Sequence, residues 1–207
     1  MKTEETKNFW SKGLGAKLYR KYAGGRFLKM HKKIAENIIK RGANDVLDIA
    51  CGPGDFLLYL SHVAPNLKLT GSDVAPGMVK HASKKLNGKA RIIESIGENQ
   101  PFQANSFDVI TIMMAFHHFP NRVQTLEKLK ELLRTNGVLI IADVVAVSSF
   151  QKKLWNFLER VISVRGYTKH YMERDLEELA QSTGFALSAE HIDGMPKRYK
   201  ICTLTRK

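Results

Sequence analysis

The sequence predicts a doubly wound α/β fold, with a mostly parallel, Rossmann-like sheet that carries helices on both faces and an antiparallel hairpin at its C-terminal end. Between residues 45 and 145, short apolar runs alternate with stretches in which apolar residues recur at helical spacing. Runs this uniformly apolar are typical of parallel strands that are covered on both faces. Near the C-terminus, two alternating runs are joined by Asp193-Gly194-Met195-Pro196, which predicts the hairpin at the sheet edge.

Each element has its own local signal. Apolar residues at helical spacing from residue 27 to 38 predict a basic amphipathic helix, which Gly42 ends in the manner of a C-terminal cap. Pro76 stands where the first turn of a helix tolerates proline, and Gly184 closes an acidic helix. The predicted strands are 45–50, 68–72, 90–93, 107–114, 137–145, 185–192 and 199–205, and the predicted helices are 27–41, 56–60, 76–86, 122–134, 150–164 and 173–182.

Length and charge indicate one domain with a basic surface. The 207 residues suffice for one sizeable core, and 33 Lys and Arg against 20 Asp and Glu give a net charge of +13. The excess lies in residues 1–41 and 148–207, because residues 42–147 are neutral. We expect a single domain over 1–207, with basic cap helices at 1–41, a cofactor-binding core at 42–147, a lid insertion at 148–172 and a final helix and hairpin at 173–207.

Cellular location follows from what the sequence lacks. Two distant cysteines without nearby cysteine or histidine partners suggest neither a metal site nor a disulfide framework. Neither a secretory signal nor an apolar run long enough to span a bilayer is apparent, since about 20 residues are needed. A cytoplasmic protein is predicted, with peripheral attachment to a membrane as an alternative.

A glycine-rich turn links the first predicted strand to the helix after it. Such a turn presents backbone N–H groups to a ligand, and an acidic residue about 20 positions later binds ribose hydroxyls. Here Asp73 stands 19 residues after Gly54. The dinucleotide fingerprint requires a third glycine, but Leu57 occupies that position, which argues against a pyrophosphate ligand.

Four ordered motifs carry a family resemblance over residues 44–145. The segments Val46-Leu47-Asp48-Ile49-Ala50-Cys51-Gly52-Pro53-Gly54 and Gly71-Ser72-Asp73-Val74-Ala75-Pro76-Gly77-Met78 resemble the first two motifs of class I S-adenosylmethionine-dependent methyltransferases. Residues 101–110 resemble the entry to the family's fourth strand, and residues 133–137 its turn into the fifth. The motifs are most similar to the ubiquinone and menaquinone C-methyltransferase branch.

This resemblance implies S-adenosylmethionine as cofactor and S-adenosylhomocysteine as product. Asp48 would place the ammonium group and Asp73 the ribose hydroxyls. The family commonly has glycine where this chain has Ala50, which is acceptable where φ is negative. Many relatives have aspartate where this chain has Ile96, so backbone contacts would have to hold the adenine. The cofactor-binding residues implied are Asp48, Ala50, Cys51, Gly52, Gly54, Asp73, Val74, Met78, Ile96, Gly97, Glu98 and Met113.

Catalysis and acceptor binding are assigned to the segments around this core. Methyl transfer is an in-line displacement that positioning alone accelerates, and a histidine could accept a proton where the acceptor must lose one. His117 is the candidate for that catalytic role. Basic, aromatic stretches at 1–41 and 148–171 lie where the family covers its acceptor. The candidate acceptor contacts are Tyr19, Tyr22, His118, Trp155 and Tyr171.

The sequence therefore predicts a methyltransferase that acts on a small or amphiphilic molecule. One alternative is a membrane-associated quinone or lipid methyltransferase, because the basic amphipathic helices could lie on anionic lipid. Another is a module without catalytic activity that senses the cofactor or binds RNA, although no recognised RNA-binding motif precedes the core.

Overall fold

Strands and helices alternate as predicted in the computed structural model, which describes residues 7–8, 27–162 and 168–207. The strands are β1 (Asp45–Ile49), β2 (Lys68–Asp73), β3 (Arg91–Glu94), β4 (Phe107–Met113), β5 (Leu133–Val144), β6 (Phe185–His191) and β7 (Tyr199–Arg206). The helices are α1 (Leu28–Lys40), α2 (Asp55–Val63), α3 (Pro76–Leu86), α4 (Arg122–Leu132), α5 (Ser149–Ile162) and α6 (Glu173–Ser182), with a short 3₁₀ turn at Phe116–His118.

The seven strands form one mixed sheet in the order β3-β2-β1-β4-β5-β7-β6. The first five strands in this order are parallel, while β7 pairs antiparallel with both β5 and β6. The predicted fold class is thus confirmed, including the C-terminal hairpin. The strand order reverses between β1 and β4. The ligand crevice of such a sheet opens at the reversal, so β4 contributes to it as well.

Both faces of the sheet are covered. Apolar side chains of α1, α2 and α3 pack on one face in a cluster that includes Ile34, Leu57 and Leu86. On the other face, α4 and α6 contribute Leu129 and Leu176 to the second cluster. This double cover explains why the central strands read as continuous apolar runs.

The largest boundary difference lies at the start of β5. The sequence predicted a helix to residue 134 and a strand from 137, but the helix ends at Leu132 and the strand begins at Leu133. Leu133 is buried and pairs with Phe107. Arg134 donates to Asp45 (2.9 Å) and Asp108 (2.8 Å), which fixes it in the sheet. These tertiary partners override local helix propensity.

Cys51 and Cys202 are both buried and unpaired with each other. Cys51 follows β1, and Cys202 lies within β7. Across residues 27–162 and 168–207, no helix has the combined length and apolar character needed to cross a membrane.

Candidate functional site

One pocket opens at the carboxyl edge of the sheet, where the loops after β1, β2, β3 and β4 meet. It collects residues from these four loops and from the start of the first helix, five segments that are far apart in sequence, as expected at the reversal of a doubly wound sheet. Of the twelve residues predicted to bind the cofactor, eleven line it: Asp48, Ala50, Cys51, Gly52, Asp73, Val74, Met78, Ile96, Gly97, Glu98 and Met113.

The turn after β1 depends on left-handed backbone. Gly52 has φ +55° and Gly54 has φ +80°, conformations that glycine adopts without steric cost. Ala50 also has positive φ, at 54°, so the condition under which alanine would be acceptable there, a negative φ, is not met. A left-handed alanine costs roughly 1–2 kcal/mol. Met114, directly after β4, is left-handed too (φ 51°), so two strained residues without a glycine's freedom line the same pocket.

Gly54 is the predicted residue that is not among those lining the pocket. It precedes α2, and a Cβ placed on it would lie 3.0 Å from Leu86 Cδ1 and 3.3 Å from Ala82 Cβ on α3. In the structure, this glycine allows α2 and α3 to pack closely beside the turn.

Asp73 ties the glycine turn to the start of α3. Its carboxylate accepts hydrogen bonds from the N–H groups of Gly52 (2.9 Å) and Ala75 (2.9 Å). Burial raises the pKa of Asp73 to about 6, and these backbone hydrogen bonds act in the opposite direction. The carboxylate is thus held at the end of β2 beside the turn after β1.

Asp48 points into the same pocket from the end of β1. The Thr111 hydroxyl donates to it at 2.6 Å. Burial raises the pKa of Asp48 to about 7, the Thr111 hydrogen bond lowers it, and the charge of Asp73 raises it again. Among the described residues that line the pocket, none is lysine or arginine. Two buried carboxyl groups without a cationic side chain suit a ligand that carries positive charge and hydroxyl groups.

This burial makes the stability of the ligand-free protein depend on pH. A carboxyl with a raised folded pKa contributes stability below its unfolded pKa of about 4, and that contribution is lost as pH rises through about 7. We therefore expect the thermal unfolding temperature to fall more steeply between about pH 5 and pH 8 for the wild type than for Asp48→Asn. Asp193→Asn, on the exposed hairpin turn, is the matched control and will follow the wild type. If the unfolding temperatures of the wild type and Asp48→Asn changed with pH in parallel, the raised pKa of Asp48 would be contradicted.

The loop after β3 approaches the pocket through its backbone. Gly97 packs so closely on Phe119 that an added Cβ would lie 2.7 Å from the ring. The Ile96 carbonyl accepts a hydrogen bond from the Gln100 side chain at 2.7 Å, which holds the loop. A ligand ring lying here would meet apolar side chains and peptide edges.

The two histidines after β4 have different surroundings. His117 is buried, with its Nδ1 2.7 Å from Asp143 Oδ1, and its backbone N–H donates to Asp143 Oδ2 at 3.0 Å. The Tyr171 hydroxyl donates to the same carboxylate at 3.1 Å. His118 lines the pocket instead, with its Nδ1 3.0 Å from the Thr168 hydroxyl. Hence His118 is the member of the pair that lines the pocket.

The other predicted acceptor contacts lie away from the described pocket lining. Tyr171 is buried against Asp143, and the Trp155 ring packs edge-on against His170 at 4.9 Å. Tyr19 and Tyr22 lie outside the described residues.

Some pocket residues were missed in the sequence. The start of α1 and the residue before it contribute Phe27, Met30 and His31, so the basic helix reaches the pocket as an acceptor cover would. Burial lowers the pKa of His31, while the charge of Asp55 raises it. Asp143 was also missed as a partner of His117, although a charged residue inside an apolar strand is a usable signal.

Comparison with known proteins places this pocket in context. Residues 46–137 match the family model described as a methyltransferase domain. A demethylmenaquinone methyltransferase from Thermotoga maritima is 32% identical over 135 residues, covering 64% of this chain and 58% of that protein. One from Thermus thermophilus is 28% identical over 122 residues, covering 58% and 56% respectively. The chain thus spans less than two thirds of the length of these curated relatives.

Solved structures share the whole architecture. A SAM-dependent methyltransferase from Thermotoga maritima superposes with a TM-score of 0.73 at 16% identity, covering 97% of this chain and 99% of that one. Another from Aquifex aeolicus gives a TM-score of 0.68 at 20% identity, with 91% and 96% covered. At these identities, the likeness establishes the fold.

Proposed function

We propose that the chain is a class I S-adenosylmethionine-dependent methyltransferase that transfers a methyl group from S-adenosylmethionine to a small amphiphilic acceptor with a quinone-type ring. S-adenosylhomocysteine is the other product. One observation carries the proposal: a single pocket is lined by two buried carboxyl groups together with apolar and aromatic side chains and two histidines.

The two carboxyl groups suit the cofactor. Asp48 would pair with the cofactor's ammonium group, and Asp73 would accept hydrogen bonds from the ribose hydroxyls. Val74 and Met78 would contact the adenine, whose polar edge would meet the backbone at residues 96–98. When bound, S-adenosylmethionine supplies an electrophilic methyl group on a sulfonium. Both carboxyl groups favour the cation because their own ionisation is costly without one.

The apolar part of the lining suits a flat, mostly apolar acceptor. Phe27, Met30, Phe56, Met114 and Phe119 contribute apolar and aromatic walls to the same pocket. Such a wall binds a ring by packing and supplies no charge for an ionic acceptor. The curated relatives named above act, by their names, on demethylmenaquinone. A reduced quinone ring has the size, flatness and amphiphilic character that this wall favours.

The residues after β4 have separate tasks in this reaction. With S-adenosylmethionine bound, a ring carbon of the acceptor would take the methyl group as the sulfonium S–CH3 bond breaks, and the quinol would release one proton overall. We assign the acceptance of that proton to His118, which lines the pocket. His117 holds the loop in place through Asp143 and is therefore a positioning residue.

A labelling experiment tests the activity. The purified chain is incubated with methyl-labelled S-adenosylmethionine and a reduced naphthoquinone that lacks the ring methyl and carries a short prenyl chain. We expect label in the quinone fraction and an equal amount of S-adenosylhomocysteine. The oxidised quinone is the control, because it has no hydroxyl proton to lose and no electron-rich ring carbon. If the chain binds the cofactor but transfers label neither to the quinol nor to any molecule in cell extracts, it would instead be a cofactor sensor without catalytic activity.

A substitution tests where the cofactor binds. Asp73→Ala removes an acceptor of two ribose hydrogen bonds, so we expect binding to weaken by about 2 kcal/mol, or roughly 30-fold in Kd. Calorimetric titration with S-adenosylhomocysteine measures the change. Asp193→Ala, an exposed aspartate on the hairpin turn, will bind as the wild type does. Unchanged affinity of Asp73→Ala would place the cofactor elsewhere.

A further inference from the structure

Helix α5 is amphipathic, but its orientation is the reverse of a normal surface helix. Phe150, Leu154, Phe157 and Leu158 recur at helical spacing and lie on the outer side. Phe150 is 76% exposed and Phe157 is 62% exposed. Large exposed apolar patches on soluble domains mark surfaces that contact a partner.

Polar side chains occupy the inner side of the same helix. Lys152 pairs with Asp175 of α6 at 2.8 Å. Asn156 accepts a hydrogen bond from the His170 N–H at 2.6 Å and donates to the His170 carbonyl at 3.2 Å. Glu159 lies 3.9 Å from His170 Nε2. These specific polar contacts hold the polar face of α5 against the domain. The apolar face of the helix therefore points outward.

The segment that carries the exposed apolar face is basic in sequence. Residues 148–172 contain five lysines and arginines and one acidic residue; Lys152 faces inward, and Lys153 is exposed on α5. A second copy of this chain would bring two such basic segments together, on molecules that each carry +13, which disfavours self-association. An anionic lipid surface fits both the apolar and the basic side chains of this segment, because it takes up the apolar ones and attracts the basic ones.

The face also lies on the pocket side of the sheet. Helix α5 follows the carboxyl end of β5, and its inner contacts reach His170, whose ring stacks on His117 at 5.6 Å. His117 in turn lies against His118, which lines the pocket (ring centroids 4.2 Å apart). A bilayer that binds α5 would therefore lie near the part of the pocket that His118 lines.

We propose that the outer face of α5, formed by Phe150, Leu154, Phe157 and Leu158, docks on an anionic bilayer and inserts these side chains at the headgroup boundary. The docking site is inferred from the exposed apolar face and the charge of α5, independently of the activity. Its role in delivering a lipid-soluble acceptor rests on the proposed function. The helix lies in the plane of the interface, with Lys153 directed at lipid phosphates.

Vesicle sedimentation tests the docking. We expect the wild type to bind vesicles of phosphatidylcholine and phosphatidylglycerol at low salt, and to bind phosphatidylcholine alone much more weakly. Phe150→Ser with Phe157→Ser will weaken binding about ten-fold or more, because the inserted apolar area is lost. Val63→Ser, an apolar residue of α2 that is 43% exposed, is the matched control and will bind as the wild type does.

Each other result would overturn the assignment. No binding of the wild type to anionic vesicles excludes the bilayer as partner, and equal binding of the double variant places the lipid contact elsewhere. A wild-type dimer in light scattering that the double variant converts to a monomer would identify a second copy as the occupant.

A vesicle-free assay separates this proposal from the proposed activity. Methyl transfer to the short-chain quinol in solution will be the same for the wild type and the double variant, because both phenylalanines lie away from the described pocket lining. Vesicle binding without methyl transfer would refute the activity and leave the docking site intact. Equal cofactor affinity and thermal unfolding of the two proteins will show that the variant is folded.

Discussion

Replacing His118 by glutamine will lower the rate of methyl transfer about 100-fold, because a positioned proton acceptor contributes at least that factor. His118 lines the pocket after β4, and its Nδ1 lies 3.0 Å from the Thr168 hydroxyl. Cofactor affinity will stay the same, since the predicted cofactor contacts lie on other residues. Single-turnover rates with the short-chain quinol and calorimetric titration with S-adenosylhomocysteine measure the two quantities separately.

Two further histidine variants sharpen this test. His191→Gln, on the exposed edge strand β6, will keep the wild-type rate. His117→Gln will lower stability as well as the rate, because it disturbs the contacts with Asp143. A His118→Gln variant with the wild-type rate would mean that the acceptor loses its proton to water or to another group.

Asp143→Ala will have the largest effect on stability, about 3 kcal/mol in the free energy of unfolding. Asp143 is buried within β5 and accepts hydrogen bonds from the His117 backbone and the Tyr171 hydroxyl, with the His117 ring also at bonding distance. Alanine leaves these buried groups without their partner. Urea unfolding of the wild type and variant, followed by circular dichroism, measures the difference.

A series of variants tests whether the Asp143 carboxylate is the source of this stability. Tyr171→Phe removes one hydrogen bond and will cost about 1 kcal/mol, and Asp143→Asn keeps an acceptor and will cost less than alanine. Burial alone would raise the pKa of Asp143, but the charge of His117 and the hydrogen bonds lower it. Its contribution is therefore present above the unfolded pKa of about 4 and is lost in acid, a dependence that Asp143→Asn will lack. Equal urea unfolding midpoints for Asp143→Ala and the wild type would refute a stabilising role of the Asp143 carboxylate.

Much of the fold could be predicted because its signals are local. The apolar runs marked six of the seven strands to within a residue or two, and glycine or proline marked several helix ends. The start of β5 was missed because Leu133 and Arg134 suit a helix locally, and only their partners Phe107, Asp45 and Asp108 draw them into the sheet.

The candidate site was less accessible from sequence. Motifs located Asp48 and Asp73, because their positions follow directly from the strand ends. The sequence interpretation chose His117 over His118 for catalysis, because the contact that distinguishes them is with Asp143, which is 26 residues from His117. The orientation of α5 was also hidden, because periodicity defines two faces and only Asp175 and His170 determine which one points inward.

The wide spacing of the pocket residues has a consequence for the order of folding. Asp48 and Thr111 form a hydrogen bond across 63 positions, and the strands that carry them pair side by side in parallel. Closing so long a loop is slow compared with helix formation, so topology makes this pairing a late step. A chain under synthesis therefore has no complete cofactor pocket until Met113 has left the ribosome. Gain of cofactor affinity during refolding would consequently report the joining of β1 and β4, after α1, α2 and α3 have already formed.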